Sequence, residues 1–202
     1  MCLPNVGAVP CACPLVENMT QTFIALLRGI NVSGRNKILM ADLRALCADL
    51  GWQNVQSYIQ SGNLLFAAEA TVATLESELE QAIEHSFGLS IPVIVRETAV
   101  WSTYLNDNPY PQASQTEPNR VMLALSKLPP KEDAVTGLQP YAADNERIRQ
   151  VGDALWIHYS SGSGRSKLSP TVLDRLVGSP VTTRNWRTVR KLNELVQNHI
   201  GE

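Results

Sequence analysis

The stretch VQSYIQSGNLLFA, residues 55–67, decides the fold because it predicts a β-hairpin. Residues 55–59 and 64–67 contain side chains that favour strands, and the tripeptide Ser-Gly-Asn at 61–63 between them is a turn signal. A hairpin needs further elements to cover its apolar side chains, because an isolated pair of strands is at best marginally stable in water. The flanking sequence therefore determines the architecture.

Helical patterns flank the hairpin on both sides. Apolar residues recur with helical spacing over residues 40–50 and 71–87, and a glycine follows each segment where a helix would end. Residues 22–28 and 91–95 are short apolar runs that predict buried strands before the first helix and after the second. The resulting order, β-α-β-β-α-β, is that of a ferredoxin-like unit.

The second half of the chain repeats this order of elements. The pattern predicts strands at 121–125, 148–151, 155–159 and 181–183, and helices at 130–137, 170–176 and 185–200. The residues of the two halves do not visibly align, so the repeat is one of element order. We therefore predict an α+β protein with two tandem βαββαβ (ferredoxin-like) subdomains and a C-terminal helix.

Composition shifts predict the domain boundaries. Residues 106–118 are rich in Pro, Asn and Gln and separate a first subdomain, 20–108 with a linking helix at 99–105, from a second, 119–202. Residues 1–19 contain three of the four cysteines and three prolines but no Lys or Arg, which does not fit a secretory signal. We interpret them as a disordered extension or as the product of an upstream start codon, with Met19 as the real start. Cys11-x-Cys13 lacks the paired spacing of a four-ligand zinc site, so no metal site is expected. The lack of a disulfide framework predicts a cytoplasmic protein.

The bulk composition disfavours two classes of partner. The chain has 202 residues, a net charge of −2 and a pI of about 5.9, so it is not electrostatically suited to bind nucleic acid as a whole. None of its apolar runs approaches the roughly 20 residues needed to cross a bilayer, so no membrane partner is expected. The oligomeric state is left open.

Positive charge is concentrated in three segments, 28–37, 165–167 and 184–191. They contain nine of the seventeen Lys and Arg residues within 21 positions and have no acid. Glycines at or beside the first two segments let backbone N–H groups face a ligand, and Arg can hold a phosphate or carboxylate with two hydrogen bonds. The segment SGSGRSKLS, 161–169, is not a P-loop, since its glycines and lysine have the wrong spacing.

These clusters supply the predicted ligand-binding residues, which are Arg28, Asn31, Arg35, Asn36, Lys37, Gln60, Ser61, Asn63, Arg165, Lys167, Arg184 and Asn185. In this hypothesis the cations hold an anion and the amides orient it. The loop after the first strand and the central hairpin are expected at opposite ends of their sheet, roughly 17–20 Å apart. The same reasoning separates residues 161–169 from 182–186, so a shared pocket is expected only between the subdomains.

The sequence resembles the DUF1697 family of bacterial proteins. The phrases ALLRGINVSGRNKI, YIQSGNLLF, GSGRSKL and TTRNWRTVRKL carry the resemblance, which extends from Thr22 to Val196. It implies two ferredoxin-like subdomains and brings no established reaction, substrate or cofactor. The N-terminal 19 residues depart from the usual start of the family.

Three functions remain open at this stage. The first is binding of a small anionic ligand, phosphate- or nucleotide-like, in the cleft between the subdomains, with or without catalysis. The second is a structural or partner-binding role, in which the same polar residues hold the subdomains together. The third is single-stranded nucleic-acid binding, which the low aromatic content of 6% disfavours. The sequence identifies no catalytic residue and no cofactor.

Overall fold

The first sheet is built around two strands that are apolar on both faces. In the computed structural model, which describes residues 20–32 and 34–200, this sheet has the order β2-β3-β1-β4 with all neighbours antiparallel. Its elements are β1 Gln21–Leu27, α1 Met40–Asp49, β2 Gln53–Tyr58, β3 Asn63–Ala68, α2 Val72–Phe87 and β4 Val93–Glu97. The predicted extension, residues 1–19, lies outside the described residues.

The second sheet repeats this arrangement with the order β6-β7-β5-β8. Its elements are β5 Val121–Ser126, α5 Ala134–Leu138, β6 Glu146–Val151, β7 Ala154–Tyr159, α6 Pro170–Val177 and β8 Val181–Asn185, followed by α7 Trp186–Ile200. Two tandem ferredoxin-like subdomains and a C-terminal helix are therefore confirmed.

Two helices join the subdomains. The predicted linking helix is α3, Thr98–Asn106, and the segment we predicted to be irregular contains a further short helix, α4, Pro111–Thr116. Pro111 takes the first helical position, where its missing N–H costs nothing. Tyr110 just before it is buried, which anchors the linker to the core.

Three apolar layers result from this topology. The outer layers lie between each sheet and its own helices, α1 and α2 or α5 and α6. The central layer joins the two sheets face to face and also contains apolar side chains of α3 and α7. Trp186, the first residue of α7, belongs to this central layer and is buried.

No helix in the described part of the chain combines the length and apolar character needed to cross a membrane.

Candidate functional site

The central layer contains a buried arginine that joins the two subdomains. Arg184 lies in β8, one residue beyond the predicted end of that strand, and its side chain reaches the first subdomain. Its guanidinium donates hydrogen bonds to Asn63 Oδ1, Thr182 Oγ1 (2.8 Å), Thr183 O (2.8 Å), Leu27 O (2.9 Å), Ser61 O (3.0 Å) and Gly62 O (3.1 Å). A guanidinium has five N–H donors. Three of the six acceptors share the two N–H groups of Nη2, so the full capacity is occupied.

Protein carbonyls compensate the charge of Arg184. Burial lowers the pKa of Arg184 to about 10, so the group stays charged at neutral pH. Within residues 20–32 and 34–200 it forms no ion pair with a carboxylate. The sequence nominated Arg184 as an anion ligand, and the structure gives it protein acceptors inside the core.

Asn63 completes this contact from the first subdomain. It is the first residue of β3 and is fully buried. Its amide nitrogen donates to Tyr58 O at 2.9 Å and Ser61 Oγ at 3.1 Å, while its oxygen accepts from Arg184. The Gln-Ser-Gly-Asn phrase therefore forms a hairpin turn whose carbonyls bind the arginine of the Thr-Thr-Arg-Asn-Trp phrase.

A second arginine makes the reciprocal contact. Arg96 in β4 of the first subdomain donates to Asp153 Oδ2 at 3.0 Å and to Ser126 O at 2.6 Å in the second. Tyr104 also donates to Asp153, at 2.9 Å. We call the Arg184 and Arg96 contacts the two arginine clamps.

Strand register shows that the clamps are equivalent. In the β1–β4 pair, Leu27 opposes Val93, and Arg96 lies three residues after Val93. In the β5–β8 pair, Ser126 opposes Val181, and Arg184 lies three residues after Val181. Each arginine bonds the carbonyl at the end of the other subdomain's first strand and the carbonyl of its own preceding residue. The halves therefore correspond residue by residue here, which direct comparison of the sequence had not revealed.

Two ion pairs follow the same symmetry. Arg28, which follows β1, lies 2.7 Å from Asp174 in α6, and Lys127, which follows β5, lies 2.7 Å from Glu80 in α2. Each acid also accepts the first backbone N–H of a last strand, from Val181 or Val93. The nominated anion ligand Arg28 thus already has a carboxylate partner.

We expect these two ion pairs to contribute similar coupling energies to the stability of the fold. All four side chains are about a quarter exposed, so solvent screening limits each coupling energy to about 0.5–1 kcal/mol. Double-mutant cycles with Arg28→Ala and Asp174→Asn, and with Lys127→Ala and Glu80→Gln, would measure both in urea denaturation. A coupling energy near zero in one cycle and above 2 kcal/mol in the other would contradict the symmetric assignment.

Asn31 organises the loop between β1 and α1. Its φ is 55°, and its side chain donates to Ile38 O and to Gln60 O, both at 2.9 Å, while accepting from Ile38 N at 3.0 Å. Asn36, with φ 48°, donates to Gly29 O at 3.2 Å. The two asparagines therefore shape the loop, and Asn31 ties it to the hairpin turn.

The expected separation of this loop from the hairpin is wrong. β1 and β3 are antiparallel neighbours, so the end of β1 lies beside the start of β3, with Leu26 opposite Asn63. A backbone hydrogen bond of 2.8 Å joins Leu27 N to Gly62 O. Residues 28–32, 34–37 and 59–61 thus form one surface, which we call the loop–hairpin surface.

Three nominated side chains of the loop–hairpin surface face solvent. Arg35, Lys37 and Gln60 are exposed, and none has a side-chain partner among the residues that the structure describes. Ser61 is half-buried and accepts from Asn63. This surface keeps donors available to a ligand, whereas the donors of Arg184 are used inside the protein.

The remaining nominated residues lie elsewhere. β7 and β8 are parallel, so residues 161–169 and 182–186 lie towards the same end of the second sheet, and their expected separation is also wrong. Arg28 lies at the opposite end of the second sheet, because its partner Asp174 accepts a hydrogen bond from Val181 N at the start of β8. Lys167 is exposed, the side chain of Arg165 lies outside the described parts, and Asn185 caps α7 by accepting from Thr188 N at 2.9 Å.

One cleft lies between the subdomains and another lies within the second subdomain. The first, of about 350 Å³, is lined by residues of α2 and by Lys127 and Pro180, with Glu80 and Glu84 among them. The second, of about 480 Å³, lies beside α6 and includes Asp174 and Arg175. Of the twelve nominated residues, none lines either cleft.

The subdomains differ most in their loops. The β1–α1 connection has 12 residues, 28–39, against 7 in the equivalent 127–133. The first hairpin turn has four residues, 59–62, against two at 152–153. Both additions belong to the loop–hairpin surface, while the second subdomain has its own longer connection at 160–169.

Comparison with known protein families identifies the same family that the sequence motifs resemble. The profile of a family described as "Protein of unknown function (DUF1697)" matches residues 19–156. The chain belongs to this family. The match contains the loop–hairpin surface and Arg96, while the segments at 161–169 and 182–186, which share the DUF1697 resemblance, lie beyond it.

A solved structure supports the fold. The conserved bacterial protein SP0830 from Streptococcus pneumoniae superposes with a TM-score of 0.68 at 22% sequence identity, covering 89% of this chain and 99% of that one. A search of curated proteins found no match. Within the described residues, no group of three or more His, Cys, Asp or Glu side chains could hold a metal ion.

Proposed function

We propose that this DUF1697 protein recognises an anionic ligand at the loop–hairpin surface. The observation that carries the proposal is the Asn31 network, which holds loop and hairpin together while Arg35, Lys37 and Gln60 remain exposed and without a described partner. Residues 28–41 contain no acid that would neutralise these cations. The proposal therefore moves the anion from the cleft between the subdomains to this surface.

The backbone of the loop supports the same assignment. Positive φ angles occur at Gly29, Asn31, Gly34 and Asn36, every second or third residue. Left-handed residues can turn backbone N–H groups towards an anion. Here Asn31 N and Arg35 N bond within the loop, to Asn36 O at 3.1 Å and Val32 O at 2.9 Å, so the exposed side chains are the main donors. The asparagine side chains stabilise this backbone, so the loop does not have to order itself when the ligand binds.

A titration with inorganic pyrophosphate at low ionic strength tests the proposal. Amide chemical-shift changes in ¹H–¹⁵N spectra are expected at residues 28–38 and 59–62. The double variant Arg35→Ala/Lys37→Ala is expected to weaken binding by about tenfold, because two charge-assisted contacts are lost.

The matched control is Arg187→Ala/Arg190→Ala, which removes two exposed cations from α7. It should leave the affinity within about twofold of the parent, because the chain loses the same net charge away from the loop. Equal losses in both double variants would indicate non-specific attraction. Shift changes centred on Glu80 and Lys127 would return the ligand to the cleft between the subdomains.

A further inference from the structure

Exposed apolar side chains lie beside the cations of the loop–hairpin surface. The described residues include four exposed large hydrophobic side chains, of which Val32 is 56% exposed, Leu39 68% and Ile59 49%; the fourth is Leu128. Val32 and Leu39 lie in or just after the loop, and Ile59 lies in the hairpin turn. Three of the four therefore belong to one region of the molecule.

The Asn31 side chain holds the backbone segments that carry these three residues together. It bonds the carbonyls of Ile38 and Gln60, and each exposed apolar residue adjoins a residue of this network in the chain. Arg35 N donates to Val32 O at 2.9 Å, which brings a cation to the same place. The surface thus combines apolar and cationic groups on a backbone fixed by hydrogen bonds.

Ile59 is strained as well as exposed. Its φ of 49° is left-handed, which a β-branched side chain rarely adopts because its Cβ approaches the backbone closely. The folded chain gains little from this residue, since half of its surface remains in water. Strain of this kind is concentrated at functional sites, where a bound partner can supply the missing burial.

The shape and chemistry of the surface select the class of ligand. Small molecules favour concave pockets, and residues 28–41 and 58–63 line neither of the two clefts. Single-stranded nucleic acid favours aromatic platforms, and residues 28–41 and 59–63 contain no aromatic side chain. Tyr58, at the end of β2, is half-buried and packs against the central layer. An exposed apolar and cationic surface is complementary to a protein segment that has both acidic and apolar residues.

We infer that the ligand of the loop–hairpin surface is an acidic protein segment whose apolar side chains pack on Val32, Leu39 and Ile59. This inference rests on the proposed function, since the acidic groups would pair with Arg35 and Lys37. It adds that charge alone does not suffice for recognition.

Defined peptide pools test the inference in fluorescence anisotropy. One pool combines Glu and Asp with Leu and Phe, a second has Ser in place of Leu and Phe, and an oligouridylate serves as the nucleic-acid probe. The first pool is expected to yield ligands that bind at least about tenfold more tightly than the second. Leu39→Ser should remove most of this difference, and Leu128→Ser, which changes an exposed leucine elsewhere, should not.

A variant at Ile59 separates binding from folding. Ile59→Asn is expected to raise the Tm, since Asn tolerates a left-handed backbone, and at the same time to weaken binding of the apolar pool. Loss of binding with a lower Tm would reflect a damaged fold and would overturn the role assigned to the strained residue.

The outcomes distinguish the two proposals. If both acidic pools bind equally well and only Arg35→Ala/Lys37→Ala weakens them, anion recognition holds and the apolar contact is overturned. Tighter binding of the oligouridylate than of either pool would also overturn the protein segment as ligand. If pyrophosphate and both acidic pools fail to bind, both proposals are overturned.

Discussion

Replacement of Arg184 with methionine is expected to lower the free energy of unfolding by about 3 kcal/mol or more. Four acceptors in the first subdomain lose a donor, namely the carbonyl oxygens of Leu27, Ser61 and Gly62 and the side-chain oxygen of Asn63. Gly62 O still accepts from Leu27 N at 2.8 Å, so its loss is the smallest of the four. A buried acceptor left without a partner costs about 1–3 kcal/mol, and release of the buried charge from its desolvation offsets part of the sum. Urea denaturation followed by fluorescence would measure the change.

The matched control is Arg96→Met at the equivalent clamp. The partner of Arg96, Asp153, is one-third exposed and retains a hydrogen bond from Tyr104, so water and tyrosine can replace much of what is lost. We expect a loss of roughly half that of Arg184→Met. Equal losses, or a loss below about 1 kcal/mol for Arg184→Met, would contradict the role of Arg184 as the main polar contact between the subdomains.

Arg184→Met is also expected to make unfolding of the two subdomains less cooperative. Arg184 bonds the first subdomain from the last strand of the second, so loss of the clamp weakens the interface more than either outer layer. If the subdomains then unfold in separate steps, the apparent denaturant slope decreases, because each step exposes less surface. An unchanged slope with a lower midpoint would show that the apolar central layer suffices to keep unfolding cooperative.

The order of elements could be predicted from the sequence because it depends on local patterns. A Ser-Gly-Asn turn between strand-like runs, helical spacing on either side and glycines after the helices are sufficient for a βαββαβ unit. Residues 23–27 of β1 are apolar at every position and buried, which shows that both faces are covered. The pattern does not show what covers the second face, which is the other subdomain.

The role of Arg184 could not be predicted from the sequence. A cluster of Arg and Lys shows where positive charge is concentrated, but the acceptors of Arg184 are mainly backbone carbonyls, which every residue has. The positions of Leu27 and Gly62 relative to Arg184 depend on how two sheets pack. The sequence pattern that could have revealed the two clamps is at their side-chain acceptors. Asn63 and Asp153 each directly follow the glycine of their subdomain's hairpin turn.

The misplaced loop has a different cause. The loop after β1 and the central hairpin are separated along the chain by a helix and a strand, which suggested opposite ends of the sheet. The pairing of β1 with β3, not the chain order, decides their distance, and an antiparallel pair places the end of one strand beside the start of the other.

Alanine at Gly62 is expected to lower the free energy of unfolding by about 2–5 kcal/mol. The residue has φ 74°, which costs an alanine about 1–2 kcal/mol. A Cβ there would also lie 2.7 Å from Leu27 Cβ and 2.8 Å from Ile30 Cδ1, and Leu27 Cβ cannot move without its strand. Overpacking of this kind adds about 1–3 kcal/mol.

Gly152→Ala is the control within the same chain. Gly152 occupies the second hairpin turn with φ 59°, and an added Cβ there would meet nothing within 4 Å. It should cost about 1–2 kcal/mol, the price of the left-handed backbone alone. Equal losses in the two glycine variants, measured by urea denaturation, would show that β1 and the first turn are not in close contact.

The Gly62 variant also tests whether the turn and the clamp act as a unit. Gly62 O accepts from both Leu27 N and Arg184 Nη2, so a shift that relieves the Cβ overlap displaces an acceptor of the clamp. The effects of Gly62→Ala and Arg184→Met should therefore be less than additive, with an interaction energy of about 1 kcal/mol or more. Full additivity in the double variant would mean that the turn can shift without disturbing the arginine, and the clamp would then depend mainly on Leu27 O and Asn63.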